Sequence, residues 1–175
     1  MFVQVVKFAA ALMVATSTSL AGFAVARRYR DRPRLLRELQ SALQALATEI
    51  SYGATPLPEA FASLARRTRQ PIAMLFSTAA AAISQPGQTA YVAWQAGLTA
   101  LGDEAALTPG DIAILDDLSG VLGLSDRQDQ ERHLLLAVRQ LQQEEAKAQE
   151  DRVQNERMWR YLGVLSGLLL VIVLW

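Results

Sequence analysis

"RPRLLRELQSALQALATEISYGATPLPEAFASLA", residues 32–65, is the stretch that decides the fold. Leu35, Leu36, Leu39, Leu43, Leu46 and Ile50 recur every three or four residues, the spacing that lines one face of an α-helix. Pro33 suits a first helical turn, where a missing N–H leaves no bond unmade. Gly53 stops the run. Thr55-Pro56 restarts it, a hydroxyl cap followed by proline at the first helical position. Leu57, Phe61 and Leu64 then give a second helix one apolar face. Two such faces separated by a tight break must be buried against each other or against further helices, so the stretch predicts a helical bundle.

The pattern continues downstream without a convincing period-two strand. Pro71 opens a third helix with Ile72, Leu75, Phe76, Ala79 and Ile83 inward, closed by Pro86-Gly87. Residues 88–102 predict a fourth carrying Tyr91, Trp94, Leu98 and Leu101. Thr108-Pro109 repeats the threonine-proline start, and Ile112, Leu115, Leu118 and Leu122 predict a fifth helix ending at Gly123. Ser125 with Gln128 reads as a capping box for a much longer sixth helix. Leu134, Leu135, Val138 and Leu141 can pack on the bundle, whereas 142–157 ("QQEEAKAQEDRVQNER") is polar nearly all round. A polar helix of that kind is a solvated stalk or a docking surface.

Apolar segments flank this body. Residues 8–26 carry no charge and would measure about 28 Å as a helix, close to the hydrocarbon thickness of a bilayer. Arg27, Arg28, Arg30 and Arg32 follow at once, and dense positive charge beside an apolar helix stays on the cytosolic side. These four are read as membrane-orienting. A nucleic-acid arm would need its charge on a free soluble segment, and only Tyr29 accompanies the cluster, so no nucleic-acid partner is expected. Residues 161–175 ("YLGVLSGLLLVIVLW") are also uncharged, preceded by Arg152, Arg157 and Arg160, and Gly163 with Gly167 form the small-residue spacing that lets helices pack in lipid. The expected layout is a transmembrane helix over 2–26, a cytosolic bundle over 27–160 and a second transmembrane helix over 161–175. The rival layout reads Ala24-Val25-Ala26 as a cleavage site, giving a secreted helical binding module cut after Ala26.

The chain of 175 residues has 17 basic and 17 acidic side chains, no cysteine and one histidine. Residues 1–70 hold ten Lys/Arg against four Asp/Glu, and 71–175 hold seven against thirteen, so the molecule is electrically polarised. Thiolate chemistry and histidine-pair metal sites are excluded, no phosphate-cradling glycine loop is present, and no cofactor is expected. The acidic pairs Asp103/Glu104, Asp116/Asp117, Glu144/Glu145 and Glu150/Asp151 are adjacent, so on a helix they point about 100° apart and do not converge as catalytic carboxylates must. An enzyme is not expected. Two charged surfaces remain as candidate partner-binding sites: the basic Arg66 and Arg67, and the acidic Glu144, Glu145, Glu150 and Asp151.

Arg32-Pro33-Arg34, Ala42-Leu43, Glu49-Ile50, Tyr52-Gly53, Thr55-Pro56-Leu57, Leu122-Gly123-Leu124, Glu144-Glu145-Ala146 and Leu162-Gly163 with Gly167-Leu168-Leu169 stand in an order that resembles the stage III sporulation protein AB family. The resemblance implies a cytosolic domain similar to the six-helix domains of the platform protein of type II secretion and type IV pilus machines. It implies a membrane protein on the mother-cell side, in the outer forespore membrane, and a non-catalytic platform role in the sporulation channel apparatus. The implied partners are the secretion-type ATPase of that apparatus, its other membrane components and the lipid bilayer. Oligomeric state stays open, a homo-oligomer included.

Overall fold

The computed structural model describes residues 29–173, and among these the chain is all-α, with six helices and no strand. They are α1 (29–51), α2 (Leu57–Arg67), α3 (Ile72–Ile83), α4 (Ala90–Glu104), α5 (Pro109–Asp116) and α6 (Arg127–Val173). The segment expected to span the membrane over 2–26, with Arg27 and Arg28, lies outside the described residues. The bundle is one compact unit, Arg32–Ala146; a second unit takes the residues on either side, of which 29–31 and 147–173 are described as helix.

In α1 the buried positions Leu36, Leu39, Leu43, Leu46 and Ile50 alternate spacings of three and four, and in α6 Gln130, Leu134, Ala137 and Leu141 do the same. Such a seven-residue period keeps one seam of each helix inward. Ser51 donates to Glu131, Gln40 and Arg37 to Glu145, and Arg32 to Glu144. Low numbers in α1 therefore meet high numbers in α6, and the two helices run antiparallel along the bundle.

The intervening helices fill the core beside them. Phe61, Phe76 and Trp94, from α2, α3 and α4, are fully buried and form a triangle of rings with centroids 5.8–6.2 Å apart. The Trp94 indole N–H donates to the Leu115 carbonyl at 2.8 Å, which ties α4 to α5 and satisfies a polar atom in an apolar setting. Gly97 lets α4 approach α3 backbone to backbone: a Cβ there would lie 2.6 Å from the Leu75 carbonyl oxygen.

Local start and stop signals hold in some places and shift in others. Thr108 starts α5 as expected. Thr55 does not cap α2; Pro56 takes that position with no side-chain bond, and the Thr55 hydroxyl donates to Glu49 at 2.9 Å. The charge-assisted bond that the hydroxyl donates to the Glu49 carboxylate turns the side chain back toward α1. Nor does Ser125 cap α6: its hydroxyl donates back to the Val121 carbonyl, and Asp126 accepts the Asp129 N–H at 2.8 Å. The fifth helix stops at Asp116, short of the expected Leu122. Beyond it, i→i+3 bonds such as Leu118 N–H to Leu115 and Val121 N–H to Leu118 tighten the chain into turns that still bury Leu118 and Leu122. Gly123 (φ +77°) closes these turns, where a Cβ would stand 2.7 Å from that of Ala90. Of the four apolar residues noted in α4, Trp94, Leu98 and Leu101 are buried and Tyr91 is 48% exposed.

α6 continues without a break into the apolar segment, which no proline interrupts. The part described, 161–173, measures about 20 Å at 1.5 Å per residue. Among the described residues no helix is long and apolar enough to cross a membrane.

Candidate functional site

At the end of the bundle where α1 begins, three helices meet around one arginine and a buried carboxylate. The sequence "TPGD" (108–111) builds a reciprocal capping box: the Asp111 N–H donates to the Thr108 hydroxyl at 3.3 Å, and the Thr108 N–H donates to Asp111 Oδ2 at 2.8 Å. The cap orients Asp111 inward, where its side chain has no solvent exposure. Arg32 meets it with two parallel bonds of 2.8 Å, Nε to Oδ2 and Nη2 to Oδ1, the fork-to-fork geometry that matches guanidinium to carboxylate. The same Nη2 donates to Glu144 Oε2 at 2.9 Å, and lies 3.4 Å from the Thr108 hydroxyl. One arginine thus clamps α1 to α5 and α6. One turn along α1, Arg37 and Gln40 hold Glu145 from two sides, at 2.6 and 2.8 Å.

Burial pushes the Asp111 carboxyl up, but the Arg32 and Thr108 hydrogen bonds outweigh it and hold the group below the usual carboxylate range. Arg32 is held above its usual value, chiefly by the hydrogen bonds it donates to Asp111. Because the folded-state pKa of Asp111 is depressed, its contribution is complete above the unfolded carboxylate value of about 4 and is lost as pH falls through the folded value. Thermal unfolding of the wild type followed by circular dichroism is therefore expected to lose stability steeply below about pH 4. Asp111→Asn, which keeps an acceptor for the cap, should start lower at pH 7 and fall less over that window; an equally steep fall would assign the acid sensitivity to other carboxylates.

The residues singled out in the sequence fall into different settings. Arg30 is exposed beside Asp31, whereas Arg32 sits in the clamp with 14% of its side chain exposed. Glu144 and Glu145, read as a free acidic surface, are engaged by α1, with side chains 23% and 17% exposed. Glu150 and Asp151 are exposed. Arg66 and Arg67 are exposed on α2, with Arg67 3.5 Å from Glu49. Gly163 and Gly167 lie in α6. Asp111, the centre of the site, was missed, although Thr-x-x-Asp at 108–111 carried a capping signal.

Chemically, the cluster is a fastener. No buried side-chain nitrogen or oxygen among the described residues lacks a hydrogen bond, and no group of three His, Cys, Asp or Glu there is placed to hold a metal ion. His133 lies half exposed on α6, 3.6 Å from Asp129.

The family model for stage III sporulation protein AB matches residues 7–175. The chain belongs to the stage III sporulation protein AB family. It is 36% identical over 168 residues to stage III sporulation protein AB of Bacillus subtilis (strain 168), a match covering 96% of this chain and 98% of that protein. A solved structure of stage III sporulation protein AB superposes with a TM-score of 0.67 at 34% identity, covering 71% of this chain and 98% of the other. Over that 71% of the chain the fold is thus shared with a solved stage III sporulation protein AB.

Proposed function

We propose that this chain is a non-catalytic membrane platform of the sporulation channel apparatus between mother cell and forespore, coupling a cytosolic secretion-type ATPase to the membrane components. The match to a sporulation protein along nearly the whole chain carries this reading. A bundle whose described buried polar groups are all satisfied internally also suits a rigid support better than a site of chemistry. In this reading helices over 2–26 and 161–175 anchor the protein in the outer forespore membrane, the four arginines orient it, and the bundle stands in the mother-cell cytosol.

Glu150 and Asp151 are the acids best placed to meet the ATPase, because they are exposed and, unlike Glu144 and Glu145, form no ion pair within the described residues. Glu150→Lys with Asp151→Lys is expected to melt like the wild type, to lower heat-resistant spore counts at least tenfold, and to reduce recovery of the ATPase on co-purification. Normal sporulation with unaltered ATPase recovery would remove this docking site. Normal sporulation after deletion of the whole chain would overturn the function itself.

A further inference from the structure

Along the outer face of α6, Arg132, Leu135, Leu136 and Arg139 stand at i, i+3, i+4 and i+7, a spacing that keeps all four on one side of the helix. The inner face is spent on Leu134, Ala137, Val138 and Leu141. Leu135 and Leu136 remain 38% and 42% exposed, and with the two arginines they line a shallow depression of about 690 Å³.

The carboxylates bordering this depression are already occupied within the chain. Asp126 caps α6, Glu131 accepts the Ser51 hydroxyl at 2.7 Å, and Asp129 stands beside His133. Arg132 and Arg139 are exposed and have no hydrogen bond or ion pair among the described residues. The surface therefore presents two uncovered leucines between two unspent guanidinium groups, about 10 Å apart along the helix at 1.5 Å per residue.

We propose that this face docks an amphipathic helix of a second protein, one bearing an apolar ridge flanked by carboxylates seven residues apart. The leucines and the aliphatic stems of the arginines would cover the ridge, and each guanidinium would grip a carboxylate through its planar fork. Charge argues against a second copy of this chain as the occupant. Stacking leucine on leucine from two identical faces would set arginine against arginine, a like-charge contact that suppresses pairing. The surface is separate from Glu150 and Asp151, so its fate does not depend on the docking site proposed above.

The test uses the full-length chain in phosphatidylcholine nanodiscs, so that no anionic lipid competes for the arginines. The probe is a fluorescein-labelled synthetic helix with Glu, Leu, Leu and Glu at i, i+3, i+4 and i+7, compared with a counterpart carrying Lys for both Glu. Fluorescence anisotropy is expected to show the acidic helix binding at least tenfold more tightly, with the preference weakening as salt rises. Arg132→Glu with Arg139→Glu should reverse the preference at an unchanged melting curve, and Leu135→Ala with Leu136→Ala should weaken binding of both helices. Equal binding of the two helices, no binding at millimolar concentration, or a preference that survives the arginine reversal would overturn the proposal. So would concentration-dependent dimerisation of the chain that the arginine reversal abolishes, since the face would then belong to a second copy.

Discussion

Arg32→Met is expected to destabilise the bundle by about 3 kcal/mol, because it leaves the Asp111 carboxylate buried with no cation to compensate it. The lower end of the range for a broken buried pair applies, since 14% of the arginine side chain still reaches solvent. Denaturant unfolding of the full-length protein followed by circular dichroism would measure this. Adding Asp111→Asn to Arg32→Met should recover part of the loss, because the neutral amide needs no counter-charge and still accepts the Thr108 N–H. The recovery defines a coupling that exposed pairs, worth a few tenths of a kcal/mol, do not produce. A loss below about 0.5 kcal/mol in the single variant would reduce Arg32 to one more surface cation.

Trp94→Ala should cost about 4 kcal/mol, the middle of the range for deleting a large buried aromatic side chain, since it removes the ring on which Phe61 and Phe76 both lean. It also removes the shorter of the bonds to the Leu115 carbonyl, leaving the one from the Leu118 N–H. Trp94→Phe separates the two contributions: an aromatic ring remains and the N–H goes, so a loss of about 1–2 kcal/mol is expected from the lost indole hydrogen bond and the smaller ring. If the two variants melted alike, the hydrogen bond and not the ring cluster would account for what Trp94 contributes. The unfolding free energies of both variants, determined under the same conditions, decide between these contributions.

The sequence reading went furthest where physics is local. Helical spacing in 32–65 marked the α1 stripe from Leu36 to Ile50, and Thr108-Pro109 marked the start of α5, because periodicity and capping involve residues within one or two turns. It failed where the competing partner was another side chain. Thr55 turns to Glu49, and Ser125 gives its capping place to Asp126, though in both cases a helix begins where expected. The fifth helix was overrun because spacings of three and four are satisfied equally by an α-helix and by successive tight turns. The largest gap concerns charge. Arg32 and Asp111 are 79 residues apart, and Arg32 and Glu144 are 112 apart. Nothing in the local pattern around any of the three announces that they share a site. "QQEEAKAQEDRVQNER" looks uniformly solvated for the same reason: the cations that take up its first two acids belong to α1. Charged side chains read as surface residues in sequence until a distant partner of opposite sign allows them to be buried.

That separation along the chain also has a temporal meaning. A ribosome adding about 5–20 residues per second needs on the order of ten seconds to pass from Arg32 to Glu144. Until Asp111 is made, 79 residues after Arg32, neither carboxylate partner exists, and Arg32 emerges beside Arg27, Arg28 and Arg30 without them. On the topology proposed above, this is when the apolar segment preceding them would be oriented. On that topology the same guanidinium would act twice in succession: first as part of the charge that keeps this end of the chain in the cytosol, then, once α5 and α6 exist, as the clamp between them and α1. Biogenesis and the finished fold would then draw on one side chain at different moments, the change of role being set by the order in which the chain is made.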